Sequence, residues 1–121
     1  MILKFTIPQR LPSLNEYINK ERTNRYKAAK MKSEIQQLIS VYIPRELKKI
    51  ELANPVFIIY NWYEPNKKRD KDNISFAKKF INDALVVNGV LKNDGWRNIS
   101  GFQDIFMVDK DNPRVVVEIR S

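Results

Sequence analysis

Val56-Phe57-Ile58-Ile59-Tyr60-Asn61-Trp62, bounded by Pro55 and Pro65, is the stretch from which the fold is read. β-branched and aromatic side chains dominate it and suit a pleated, packed surface, so a central strand is expected here. The chain then runs through basic residues to Arg69-Asp70-Lys71-Asp72-Asn73 and into a segment of helical spacing. From Asn73 to Val87, Ile74, Ala77, Ile81, Ala84 and Leu85 form one apolar stripe with Phe76 and Phe80 beside it, and Gly89 stands as a C-terminal stop.

Toward the N-terminus, Ile2 to Ile7 alternate apolar and polar residues up to Pro8, the pattern of a strand with one buried face. Pro8 to Asn24 shows no sustained period and is expected as a long loop, its positive balance making it a candidate DNA-contacting arm. Between Arg25 and Tyr42, Ala28, Met31, Ile35, Leu38, Ile39 and Tyr42 follow helical steps; Pro44 limits that helix, and Arg45 to Asn54 is a connection. Toward the C-terminus, Val90 to Trp96 suggests a short extended piece and a turn. Ile99 to Val108 and Val115 to Ile119 suggest strands joined through Asp109-Lys110-Asp111-Asn112-Pro113 as a hairpin. The expectation is one α+β domain over residues 1–121: a mixed sheet of about four strands packed by two helices, in the order β-α-β-α-β-β.

Composition narrows the chemistry. Histidine and cysteine are both absent, which removes zinc sites built on them, thiol nucleophiles, disulfides and every Ser-His triad. Carboxylates, lysines and a bound metal remain as catalytic groups. Lys plus Arg number 22 against 14 Asp plus Glu, a formal charge of +8, which favours nucleic acid or another anionic partner. No apolar run approaches the ~20 residues a membrane helix needs, and no signal-peptide layout is present, so no membrane partner is expected and the expected location is cytoplasmic.

Within that inventory Asp70 and Asp72 stand out. In an extended or turn segment, carboxylates two residues apart point the same way and can reach one hard cation; a solvated turn ahead of a helix is the plainer alternative. Lys67, Lys68, Arg69 and Lys71 around them suit a polyanion. On a continuous helix Lys79 returns to within about 20° of the Asp72 face, and Lys78 points away. Asp83 lies too far along the axis to share a cation with Asp72, and reads as an ion pair with Lys79. Asp94 follows the helix and is either a turn residue or a third carboxylate. To meet the pair it must travel back ~20 Å, about the full reach of the six steps from Asn88. In the helix of Arg25 to Tyr42, Lys27, Lys30 and Lys32 occupy the half where the helix dipole disfavours cations, and face either phosphate or solvent.

Taken together, Arg69-Asp70-Lys71-Asp72-Asn73, Lys79-x-x-x-Asp83-Ala84-Leu85, Gly89 and Asp94 resemble the RusA family of Holliday-junction resolvases. Pro12-Ser13-Leu14-Asn15 is similar to the family's N-terminal P-S-x-N loop. The resemblance implies that Asp70, Asp72 and Asp94 are catalytic metal ligands for one or two Mg²⁺ ions, with Mn²⁺ as an alternative, and that Lys79 supports catalysis. It also implies a homodimer acting on branched DNA, the four-way junction, with Asn15, Arg22, Arg25, Lys27, Lys67, Lys68, Arg69 and Lys71 as candidate DNA contacts. Two departures stand out: Asn93 occupies a position where many members carry a second acid, and the helix between the aspartates is slightly longer than in the best-known member. The competing readings are a non-catalytic basic DNA-binding module and a metal-dependent nuclease for other branched or single-stranded DNA.

Overall fold

The computed structural model describes all 121 residues. Four strands, β1 (Ile2–Ile7), β2 (Val56–Glu64), β3 (Ile99–Val108) and β4 (Arg114–Arg120), form one mixed sheet in the spatial order β1-β4-β2-β3. Strand β2 is interior as its sequence implies: it pairs antiparallel with β4 (Tyr60 opposite Val117, Trp62 opposite Val115) and parallel with β3 (Ile58 opposite Phe102). β1 closes the other edge on β4, with Phe5 opposite Val117 and Ile7 opposite Val115. The alternation of each strand therefore stacks Phe5, Ile7, Ile58, Tyr60, Trp62, Val115, Val117 and Ile119 on one face, all nearly inaccessible to water. Helices cover that face, and Thr6, Phe57 and Arg120 remain exposed on the other.

The α+β class and the mixed four-stranded sheet hold, and three elements differ from expectation. Strands β3 and β4 are not a hairpin, because β2 lies between them. The turn at residues 109–113 instead crosses the end of β2, where the Asp109 amide donates to the Glu64 carbonyl at 2.8 Å. The turn residues were legible; their partner strands were not.

The expected loop of Pro8 to Asn24 contains a helix, α1 (Leu14–Thr23). Ser13 caps it, its Oγ accepting from the Glu16 amide at 3.3 Å, so Ser13-x-x-Glu16 is the start signal that the polar composition concealed. None of its residues is fully buried, which is why no apolar stripe marked it. Asn24 ends α1 and begins α2 (Arg25–Tyr42), its side chain accepting from the Tyr26 amide at 2.8 Å.

The third difference bears on the site. The single helix expected from Asn73 to Val87 is two: α3 (Lys71–Ser75) and α4 (Lys78–Val87), separated at Phe76 and Ala77. Phe76 and Phe80 pack edge to face, and Tyr17 of α1 lies against both rings, with centroids 5.6 and 5.9 Å away.

Gly89 ends α4 as expected, with φ +68°, donating to the Val86 carbonyl while the Val90 amide donates to Leu85. A Cβ at Gly89 would lie 3.0 Å from the Lys49 Cα, so glycine is required by conformation and by space. The turn buries Val90 and Leu91 and aligns residues 49–52 with 88–90 through three backbone hydrogen bonds.

Tyr60 sits at the centre of the helix-covered face and donates its hydroxyl to Asn82 on α4. Burial pushes its pKa well above the usual phenol range; the Asn82 bond opposes this, and the charges of Asp104 and Asp94 add to it. Folded Tyr60 therefore stays neutral at a pH where the unfolded chain ionises, and stability falls as pH rises past about 10. Tyr60→Phe is expected to cost about 1 kcal/mol at neutral pH and to flatten the alkaline limb of stability, measured by urea unfolding between pH 7 and 11.

Candidate active site

A cleft of about 860 Å³ opens beyond the C-terminal ends of β2 and β3, lined by Glu64, Asn66, Lys67, Arg69, Asp70, Lys71, Asp72, Ile74 and Phe106 to Val108. Asp70 precedes α3 in extended conformation, and Asp72 lies in its first turn. In place of a single extended or turn segment, the two stand at a strand-to-helix corner, and both line the one cleft. Asp70 stands at the N-cap, yet its side chain makes no capping bond. Asp72 Oδ1 accepts only from the adjacent Asn73 amide, at 3.0 Å. Neither carboxylate joins an ion pair, although basic residues flank both.

The reason is where those cations go. Arg69 turns back to α1, pairing with Glu16 and donating to the Leu11 carbonyl at 3.1 Å, so it anchors the segment. Lys71 lies over the Phe106 ring at 5.7 Å. Lys67 and Lys68 are exposed. Glu64 forms part of the cleft wall and, though buried, is neutralised by Arg10 at 2.8 Å; its place at the end of an apolar strand gave no sequence signal.

Asp94 does not line this cleft. The return from Gly89 does bring it back along α4, where Asp94 Oδ2 lies 3.4 Å from Lys79 Nζ. Lys79 also pairs with Asp83 at 3.1 Å, as spacing suggested, and Asp83 reaches Lys32 of α2 at 3.9 Å. The hydrogen bond to Asp83, with Asp94 adding its charge, raises the Lys79 pKa, so this lysine stays cationic through the neutral range. Because the helix breaks at Phe76 and Ala77, the rotation argument that placed Lys79 on the Asp72 face does not apply; Lys79 is set by α4 and by Asp94.

A further carboxylate, Asp104, was missed. It faces the helices from β3 between Phe102 and Phe106, accepts from Trp62 Nε1 at 2.9 Å and pairs with Lys78, whose ammonium lies 4.0 Å from the Phe102 ring centre. One polar position in an alternating apolar strand was the available signal. No three acidic side chains converge closely enough to hold a metal ion. Asp70 and Asp72 nevertheless suit a hard divalent cation: both are exposed, oxygen-bearing and without a charged partner.

The remaining candidate contacts lie on the helices. Asn15 and Arg22 of α1, and Arg25 and Lys27 of α2, are exposed. Lys20, Lys27 and Lys30 line a groove of about 250 Å³ with Met31 and Glu34. Lys30 has Glu34 at 3.9 Å, and Lys27 is free of ion pairs.

Unpaired carboxylates among lysines in the open cleft of a basic α+β domain suit a divalent cation and a polyanion together. Residues 4–120 match the family model described as Endodeoxyribonuclease RusA, and the chain belongs to that family of endodeoxyribonucleases. Comparison with curated proteins gives no match. No helix is long and apolar enough to cross a membrane.

Asp104→Ala leaves the Trp62 N–H unpaired and the Lys78 charge uncompensated in a region where both partners are mostly covered. It is expected to lower unfolding free energy by about 2 kcal/mol in urea titration, with the m-value unchanged.

Proposed function

We propose that this chain is a Mg²⁺-dependent endodeoxyribonuclease that resolves four-way (Holliday) DNA junctions by paired, symmetric nicks in recombination and repair. The observation that carries the reading is the pair Asp70 and Asp72: two carboxylates in one cleft, spent neither on capping nor on ion pairs, in a chain of charge +8. Asp94 would have to leave Lys79 to join Asp70 and Asp72, which together would hold the metal, Mg²⁺ or alternatively Mn²⁺. When bound, it supplies a water of lowered pKa and a counter-charge for the phosphate.

The chain's own residues supply the rest. Lys67, Lys68 and Lys71 attract the DNA backbone to the cleft. Lys79, kept cationic by Asp83 and Asp94, offers an ammonium to the charge that develops on the phosphate oxygens. Arg69 fixes the Asp70–Asp72 corner against α1 and leaves Lys67 and Lys68 as exposed cations without a partner. The exposed cations of α1 and α2 extend the positive surface along a DNA arm. A four-way junction needs two equivalent cuts, and a homodimer with two-fold symmetry supplies two equivalent sites.

Asp70→Asn is expected to abolish metal-dependent nicking of a synthetic four-way junction, a loss beyond the about 100-fold that even an outer partner of a metal ligand costs. Junction binding in EDTA should be unchanged or tighter, since a carboxylate that repels phosphate is removed. Retained cleavage by this variant overturns the reading. Linear duplex, flap and four-way substrates assayed side by side decide the substrate, and equal cleavage of all three would make the chain a nuclease without junction preference.

A further inference from the structure

Trp96 is 99% exposed, the extreme among the large apolar side chains. An indole can bury 150–250 Å² when covered, so leaving it wholly in water forgoes a large stabilisation. Its backbone is nonetheless braced. Trp96 and Arg97 are the central residues of a turn closed by Asn98 and Ile99 amides donating to the Gly95 carbonyl, both at 3.0 Å. The turn is anchored to the sheet where the Val56 amide donates to the Asn98 carbonyl at 2.9 Å and β3 begins. The ring is thus held out on a short, braced support.

Its surroundings point to a ligand. Trp96 follows Asp94 by two residues, a Cα separation of at most about 7 Å, or roughly two nucleotide rises along a strand. Lys92 and Arg97 flank it, both exposed, and no aromatic ring packs on it. Cations that track a backbone, with an exposed aromatic face between them, form the pattern by which proteins take up unstacked bases. In a linear duplex every internal base is covered on both faces; at a branch point, bases at the ends of the arms can present a free face.

We propose that Trp96 stacks on a base exposed at the branch point, with Lys92 and Arg97 meeting the backbone on either side, and so selects branched over linear DNA. This rests on the nuclease reading above and adds the group that recognises the substrate. Trp96 touches no part of the core, so its replacement leaves the fold intact.

The test uses the full chain, an immobile four-way junction and a linear duplex of the same sequence, in EDTA. The chain has two tryptophans, and Trp62 is buried, so quenching by DNA reports Trp96. The junction should quench strongly and the duplex weakly, and the junction signal should vanish in Trp96→Phe. Trp96→Ala should lose about tenfold of the junction-over-duplex preference, equal to about 1.4 kcal/mol, while Trp96→Phe keeps most of it. Equal quenching by both DNAs, or a Trp96→Ala variant that discriminates as the parent does, overturns the proposal. So does a shift from dimer to monomer in Trp96→Ala on size-exclusion chromatography, which would make the ring a subunit contact. Because stacking is read without metal, a parent that cuts no branched DNA would refute the nuclease reading while the fluorescence still decides the role of Trp96.

Discussion

Everything in this molecule depends on β2 having both of its edges occupied, by β3 in parallel and β4 in antiparallel pairing. A strand paired on both sides holds its backbone firmly, and its alternation then commits Ile58, Tyr60 and Trp62 to one face. That face receives α4 through Tyr60 and Asn82 and β3 through Trp62 and Asp104. The end of β2 releases the chain into the Asp70–Asp72 corner, so the position of the cleft is inherited from the sheet.

The acidic groups then divide into two sets by their electrostatic neighbours. Asp83, Asp94 and Asp104 are each met by a lysine, and they hold α2, α4 and the return loop together. Asp70 and Asp72 are left without cations because Arg69 turns to Glu16 and Lys71 to Phe106. A +8 chain with cations to spare leaves two carboxylates in one cleft without an ion-pair partner, open to a bound cation.

Much of this was legible in the sequence. The strands at Ile2, Val56, Ile99 and Val115 and the helix beginning at Arg25 showed themselves through period and composition, and Gly89 marked its own stop. The Asp70–Asp72 corner stood out because carboxylates among lysines are unusual, and the Lys79–Asp83 pair followed from spacing alone. What escaped was set by contacts distant in the chain. Helix α1 buries no residue fully, so its Ser13 cap was the only sign of it. The break at Phe76 and Ala77 lies where Tyr17 packs on Phe76 and Phe80, a contact that no local pattern announces. The pairing of β3 and β4 with β2 rather than with each other depends on a strand some forty residues upstream, and Asp104 gains its meaning only from Trp62 and Lys78.

The crossing turn at residues 109–113 has a consequence for how the chain reaches this state. Two strands joined by five turn residues form a local hairpin quickly, whereas the native sheet demands that β2 occupy the place between them. A β3–β4 hairpin, were it to form, would have to open before β2 could take its place between the two strands. Long-range strand pairing of this kind slows folding and leaves an unpaired edge in the meantime. Because β4 pairs with both β2 and β1, the N-terminal strand has no place in the sheet until the C-terminal strand is there to receive it.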